Sequence, residues 1–228
     1  ISLSKKHPKI LKLLSKVKNM SKISQKLRIC VLDRMESYGP YISLIDALTC
    51  SAAMLDTNLL IEWEKTHHPD GVILLNDYEN RKEKYITLKK ARKEQIPVLA
   101  TGGGFYFLVD EFLQKECNKT GIVKHGKMKL GEHPTKIKKN SKLFHIYKAS
   151  VINKRHRHNE YIDDYEELSD TQLIPSGFST ENHLEAVELL DHPFYIGVAF
   201  NPEYTSRPLE IDPIFVSFLS AAKQKEKE

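Results

Sequence analysis

Pro97-Val98-Leu99-Ala100-Thr101-Gly102-Gly103-Gly104-Phe105-Tyr106 sets an apolar run against three glycines, and the glycines against a helical pattern that begins near Phe105. The reading is a strand, a sharp turn and a helix. In an open α/β sheet such a turn lies at the carboxyl end of a strand, where ligands bind and where a nucleophile elbow would present its reactive side chain. Gly102 holds that place and has no side chain that can react.

Outward from this turn, the charged run Arg81 to Gln95 has Tyr85, Leu88 and Ala91 at helical spacing, an amphipathic helix leading into the strand Pro97 to Ala100. Gly71 to Leu75, Asn58 to Trp63 and Leu27 to Leu32 read as earlier strands, with a helix from Tyr41 to about Leu55 between the last two. Strands alternating with helices imply parallel pairing and a doubly wound sheet with right-handed crossovers. Beyond the helix Phe105 to Cys117 the pattern changes. Short apolar pieces around Lys127 to Leu130, Leu143 to Lys148, Gln172 to Phe178 and Leu184 to Leu190 read as antiparallel strands. Phe194 to Phe200 returns to a buried strand, Asn201-Pro202-Glu203 leaves it as a loop, and Ile214 to Ala222 is a final helix.

Composition narrows the class. A chain of 228 residues, 40% hydrophobic and 29% charged, is long enough for one soluble domain with a sizeable core. Its apolar runs are too short to span a bilayer, so no membrane helix is expected. Lysines spread through Ile1 to Arg28 argue against a signal peptide, and the expected location is cytoplasmic. Cys30, Cys50 and Cys117 are odd in number and show no paired spacing, so they read as structural thiols and not as a disulfide framework or zinc site. His67, His68, His125 and His133 lack a ligand set and read as surface histidines; no metal and no cofactor is expected.

The net charge of +5 is unevenly placed. Lys5 to Arg28 carries nine basic residues before the first acidic one, and a second basic cluster runs from Lys124 to Lys142. Such blocks attract phosphates or acidic partners, yet no nucleic-acid motif or interleaved aromatics accompany them, so nucleic acid is not an expected partner. Ile10, Leu13, Leu14 and Val17 add a helical spacing inside the first block. The expected organisation is a basic linker helix or tail over residues 1–26, a domain over 27–222 and a charged tail over 223–228.

His192-Pro193-Phe194-Tyr195-Ile196-Gly197-Val198-Ala199-Phe200-Asn201-Pro202-Glu203-Tyr204-Thr205-Ser206-Arg207-Pro208 resembles the signature HPFxxGxxxHPExxSRP of the glutaminase domain of CTP synthase. Arg155-His156-Arg157-His158 is similar to its RHRHR motif, Met128-Lys129-Leu130-Gly131 to its MRLG, and Tyr41 to Leu48 to its YxSVxxAL helix. These segments fall in collinear order between about Leu27 and Ala222. The resemblance implies a class I glutamine amidotransferase-like, flavodoxin-like α/β fold of three layers, with a mainly parallel central sheet plus a small antiparallel sheet.

In the resembled family a Cys-His-Glu triad hydrolyses glutamine, and the ammonia passes to a synthetase domain that aminates UTP using ATP. By the resemblance, Gly102 stands at the cysteine position, Asn201 at the histidine position and Glu203 at the glutamate position. Glycine supplies no nucleophile and asparagine no base near neutral pH. The family's Pro-Gly-Gly-Phe-Gly oxyanion loop is replaced by Asn76-Asp77-Tyr78-Glu79-Asn80, its glutamine after the elbow by Tyr106, and the third arginine of RHRHR by Asn159. Asn76, Asp77, Tyr106 and Asn159 are therefore remnants of a substrate site. Lys129, Arg155, His156 and Arg157 are the implied contacts for a nucleotide or a partner, with weakened GTP affinity because lysine lacks arginine's planar fork.

The same residues also have readings without function. Glu203 fits a turn in which its carboxylate meets backbone amides, and four consecutive polar residues from Arg155 to His158 alternate faces, so at most two of them enter a cleft. Two functions follow from the resemblance: a pseudo-amidotransferase serving as a regulatory or interaction module, or the end of a CTP synthase working with free or externally supplied ammonia. The partner implied in both is a synthetase domain or CTP synthase-like subunit.

Overall fold

The computed structural model describes residues 26–33, 38–64, 68–75 and 81–225. The basic segment 1–25, His67, the Asn76 to Asn80 stretch with Asp77, and the last three residues of the charged tail lie outside the described residues.

Among the described residues nine strands form one sheet: β1 (Lys26–Val31), β2 (Asn58–Trp63), β3 (Gly71–Leu74), β4 (Val98–Thr101), β5 (Lys124–Ile137), β6 (Val151–Tyr161), β7 (Leu173–Phe178), β8 (Leu184–Leu189) and β9 (Tyr195–Val198). Their order is β2-β1-β3-β4-β9-β8-β7-β5-β6. The first five in that order run parallel. From β9 onward every pairing is antiparallel, so the antiparallel strands extend the same sheet. β3, β4 and β9 are buried along their whole length, as strands covered on both faces must be, which is why they read in sequence as uninterrupted apolar runs.

The covering helices are α1 (Tyr38–Met54), α2 (Arg81–Lys93), α3 (Gly103–Glu116), α4 (Lys142–Tyr147) and α5 (Pro213–Lys225). Leu88, Phe105, Leu108 and Phe112 from α2 and α3 close one core with Val72, Val98 and Tyr195. Leu44, Leu48, Phe215 and Phe218 from α1 and α5 close the other with Ile29, Leu99 and Ile196. Each such side chain taken from water contributes about 1.5–3 kcal/mol, so the two faces together supply most of the drive to the three-layer arrangement. Among the described residues no helix is long and apolar enough to cross a membrane.

Three elements differ from the sequence expectation, the first being β6, which carries Arg155 to His158 and was not among the expected strands. Leu143 to Lys148 is helix, not strand: Ser141 Oγ accepts from the Phe144 amide at 2.9 Å to cap its start, and Lys148 ends it in the left-handed region. The last helix continues past Ala222 to Lys225, where a charged tail was expected from 223, and Lys223 Nζ donates to the Leu55 carbonyl at 2.7 Å.

Candidate functional site at the glycine turn

β4 and β9 are parallel neighbours, with Thr101 opposite Val198. The residues following each strand therefore emerge side by side at the carboxyl edge of the sheet, where ligands of open α/β sheets bind. After β4 comes Gly102 at φ 54°, ψ −126°, a conformation open only to glycine without strain. Two residues on, a Cβ at Gly104 would lie 2.5 Å from the Leu74 carbonyl oxygen, so α3 can start this close to β3 only with glycine in its first turn. The Gly102 amide donates to the Phe200 carbonyl at 3.2 Å and the Asn201 amide to that of Arg155 at 2.8 Å, fixing the turn after β9 against both β4 and β6.

Gly102, Asn201 and Glu203 come together as their sequence positions imply. A Cβ at Gly102 would lie 2.8 Å from Asn201 Nδ2, so the asparagine amide stands directly over the turn. That amide donates to Glu203 Oε1 at 2.9 Å. Glu203 sits on the short turn Pro202–Tyr204 and is only 2% exposed. Burial pushes its carboxyl up to about 7, the Asn201 hydrogen bond opposing this and the Asp212 charge adding to it. Its Oε2 has no hydrogen-bond partner among the described residues, nor have Asn201 Oδ1 and Thr101 Oγ1. The Asn201 carboxamide has no basic lone pair near neutrality, so toward Glu203 it acts as a hydrogen-bond donor.

The remaining expected site residues divide between two faces of the β5–β6 hairpin. Strand alternation turns His156 and His158 inward and leaves Arg155 and Arg157 exposed on the opposite face, beside Leu130 and Glu132. Inside, His158 Nδ1 lies 2.9 Å from the Glu160 carbonyl and 3.1 Å from the Tyr106 hydroxyl, and His158 Nε2 lies 2.9 Å from His156 Nδ1. A carbonyl only accepts, so His158 carries its proton on Nδ1 and His156 donates from Nδ1 to His158 Nε2. Burial, aided by the Lys129 charge, pushes His156 down to about 2. Burial likewise takes His158 to about 4, against the Glu160 carbonyl bond. Both rings are neutral, and His156 Nε2 is left without a hydrogen-bond partner among the described residues.

Tyr106, Lys129, His158 and Asn159 line a cleft of about 460 Å³ together with Glu185 and Tyr161. Lys129 Nζ bonds Glu185 Oε1, and Thr135 Oγ1 donates to Glu185 Oε2 at 2.6 Å, so a buried carboxylate already answers the lysine charge. Lys129 thus lines the cleft and His156 is buried on the strand face it shares with His158, while Arg155 and Arg157 belong to the open sheet face. Glu185 was missed by sequence reasoning. Its one signal is that it is one of two carboxylates, with Glu188, among the apolar residues of β8, where burial demands a partner. Among the described residues no group of three His, Cys, Asp or Glu side chains is placed to hold a metal ion.

Known proteins with this arrangement can now be set beside it. The CTP synthase of Helicobacter pylori is 30% identical over 272 aligned positions, covering 98% of this chain and 51% of that protein. That of Pelagibacter ubique is 33% identical over 199 positions, covering 70% of this chain and 36% of the other. The chain thus spans about half the length or less of these curated relatives. Among solved structures, the Trypanosoma brucei CTPS glutaminase domain with bound acivicin matches at a TM-score of 0.76 and 22% identity, over 87% of this chain and 94% of that one. A glutamine amidotransferase of Thermotoga maritima matches at 0.58 and 13%, over 90% and 100%. These two likenesses establish the fold. Residues 43–221, which include both strand ends that build the turn, match the family described as glutamine amidotransferase class-I. With its fold, its strand-turn-helix and its sequence in agreement, the chain belongs to the class I glutamine amidotransferase family.

Proposed function

We propose that this domain does not hydrolyse glutamine and serves as a binding or regulatory module built on the amidotransferase fold. The observation that carries the reading is the 2.8 Å approach of Asn201 Nδ2 to the Cβ position of Gly102. An amide occupies the space a nucleophile would need, and the amide itself is tied to Glu203. Losing a nucleophile or its base removes several orders of magnitude of rate in enzymes of this kind. The test is ammonia release from glutamine by the purified chain, with labelling by a glutamine-mimicking chloroketone as a second readout. No release above background and no label near Gly102 are expected, and either signal at that turn overturns the reading. Modification of Cys117 alone has no bearing on it.

A second reading is supported by the relatives, which are CTP synthases about twice the length of this chain. In it the domain is part of a CTP-forming ligase that uses free or externally supplied ammonia, in the cytoplasm, with a synthetase domain as its partner. Glutamine-independent but ammonia-dependent amination of UTP, measured with the partner present, separates this reading from the first. GTP affinity on this reading is weak, because Lys129 is already paired with Glu185.

A further inference from the structure

Helix α2 presents two stripes. Lys84, Leu88 and Ala91 face inward and are buried. On the outward stripe, four and three residues apart, stand Lys82, Ile86 and Lys89, with Ile86 61% exposed. Tyr85, half-buried beside Ile86, lies under Lys115 of α3, whose Nζ is 4.7 Å from the ring centroid. These five residues line an open depression of about 410 Å³ with an apolar floor and a lysine rim.

The rim lysines are left out of ion pairs among the described residues for a structural reason. The carboxylates of α3 are taken by arginines: Asp110 by Arg81 at 2.9 Å, Glu111 and Glu116 by Arg92 at 2.6 and 2.8 Å. Glu94 is 3.9 Å from Lys90. Among the described residues Lys82, Lys89 and Lys115 have no ion pair. Asp170 and Asp191 line a neighbouring cleft that Lys89 also borders, so the surplus is centred at the Lys82 and Lys115 end.

We propose that this depression docks an acidic segment of a partner protein, which seats one bulky apolar side chain on Tyr85 and Ile86 and directs carboxylates to Lys82, Lys89 and Lys115. Lys82 and Lys89 stand about 10 Å apart along the helix, a distance matched by carboxylates two turns apart on a facing helix. An apolar floor is wasted on a free phosphate, and a single concave depression offers a bilayer little area, so the charge and shape together fit a peptide. The proposal goes beyond the reading of the glycine turn and stands whether or not that turn hydrolyses glutamine.

The test is a fluorescence-anisotropy titration of the 228-residue chain with a short labelled helical peptide that has one central leucine flanked on the same face by glutamates. Binding is expected, weaker at higher salt because exposed charges are screened. Lys82→Glu with Lys89→Glu should weaken it by about tenfold or more, as should Ile86→Ser or serine in place of the peptide leucine. Lys136→Glu with Lys139→Glu, on exposed positions of the antiparallel end, should leave it unchanged. All these protein positions are exposed, so melting temperatures should stay near the parent and exclude unfolding as the cause. Absence of binding, indifference to Ile86→Ser, or equal loss from the Lys136 and Lys139 pair overturns the proposal. So does sedimentation with phosphatidylcholine–phosphatidylserine vesicles that the Lys82 and Lys89 changes abolish while the peptide goes unbound, which would assign the surface to a membrane.

Discussion

Replacing Gly102 by alanine tests whether the turn is as closed as its geometry implies. Two separate penalties apply. The backbone at φ 54°, ψ −126° lies where a side chain is strained, worth about 1–3 kcal/mol. The new methyl would also stand 2.8 Å from Asn201 Nδ2. Asn201 is buried and bonded to Glu203, so moving it aside breaks that bond at a cost of about 1–3 kcal/mol. Gly102→Ala should therefore destabilise by about 2–6 kcal/mol in urea unfolding followed by circular dichroism. In an Asn201→Gly background only the backbone part remains, so the double-mutant cycle should show a coupling of about 1–3 kcal/mol. A single-mutant cost near the roughly 0.5 kcal/mol of an exposed substitution would refute the strain. A coupling of zero would refute the contact.

Glu203 gives a pH signature. Its folded value of about 7 lies above the ordinary 4.5, so the penalty for ionising it is absent below about pH 4.5, grows as pH rises, and is constant above about pH 7. Glu203→Gln should accordingly exceed the parent in stability by on the order of 3 kcal/mol above pH 7 and by nothing at pH 4; a pH-independent difference would contradict this. Lys84 and Asp33 form a buried pair at 3.0 Å, so Lys84→Met, which removes this cation from a buried carboxylate, should cost about 3–5 kcal/mol by chemical denaturation. Lys90→Met at the exposed Glu94 pair should change stability by less than about 0.5 kcal/mol under the same conditions. Gly102→Cys alone should fail to release ammonia from glutamine, because Asn201 still stands where a base is needed; measurable turnover would show that some other group takes the proton.

The parallel half of the fold was legible because β3, β4 and β9 are covered on both faces and α2 carries one buried stripe, so burial writes itself into the sequence as apolar runs and 3.6-residue spacing. The antiparallel half was harder. β5 begins with five exposed residues, Lys124 to Met128, which bury nothing and therefore leave no alternation to read. Leu143 to Tyr147 is an apolar run too short to separate helix from strand by period, although Ser141 before it was an available cap signal. At the site, collinear motifs placed Gly102, Asn201 and Glu203 together. Alternation limited Arg155 to His158 to one pair per face, but which pair enters depends on the carboxylate of Glu185 and the hydroxyl of Tyr106, contributed by distant strands and helices. The pairing of Lys129 with Glu185 was invisible for the same reason.

The ladder between Val98 and Tyr195 joins two strands made at very different times during synthesis, with β5 to β8 lying between them in the chain. Parallel neighbours so far apart pair only after a long loop has closed, which makes their contact a late event in folding. A nascent chain that has not yet presented Phe200 cannot give the Gly102 amide its carbonyl partner. Hydrogen exchange at that one amide therefore works as a clock for completion of the domain: in pulse labelling during refolding it should gain protection after the amides of the β5–β6 hairpin. A truncation ending before Phe200 should leave the turn without its protection, whatever α2 and α3 have already formed.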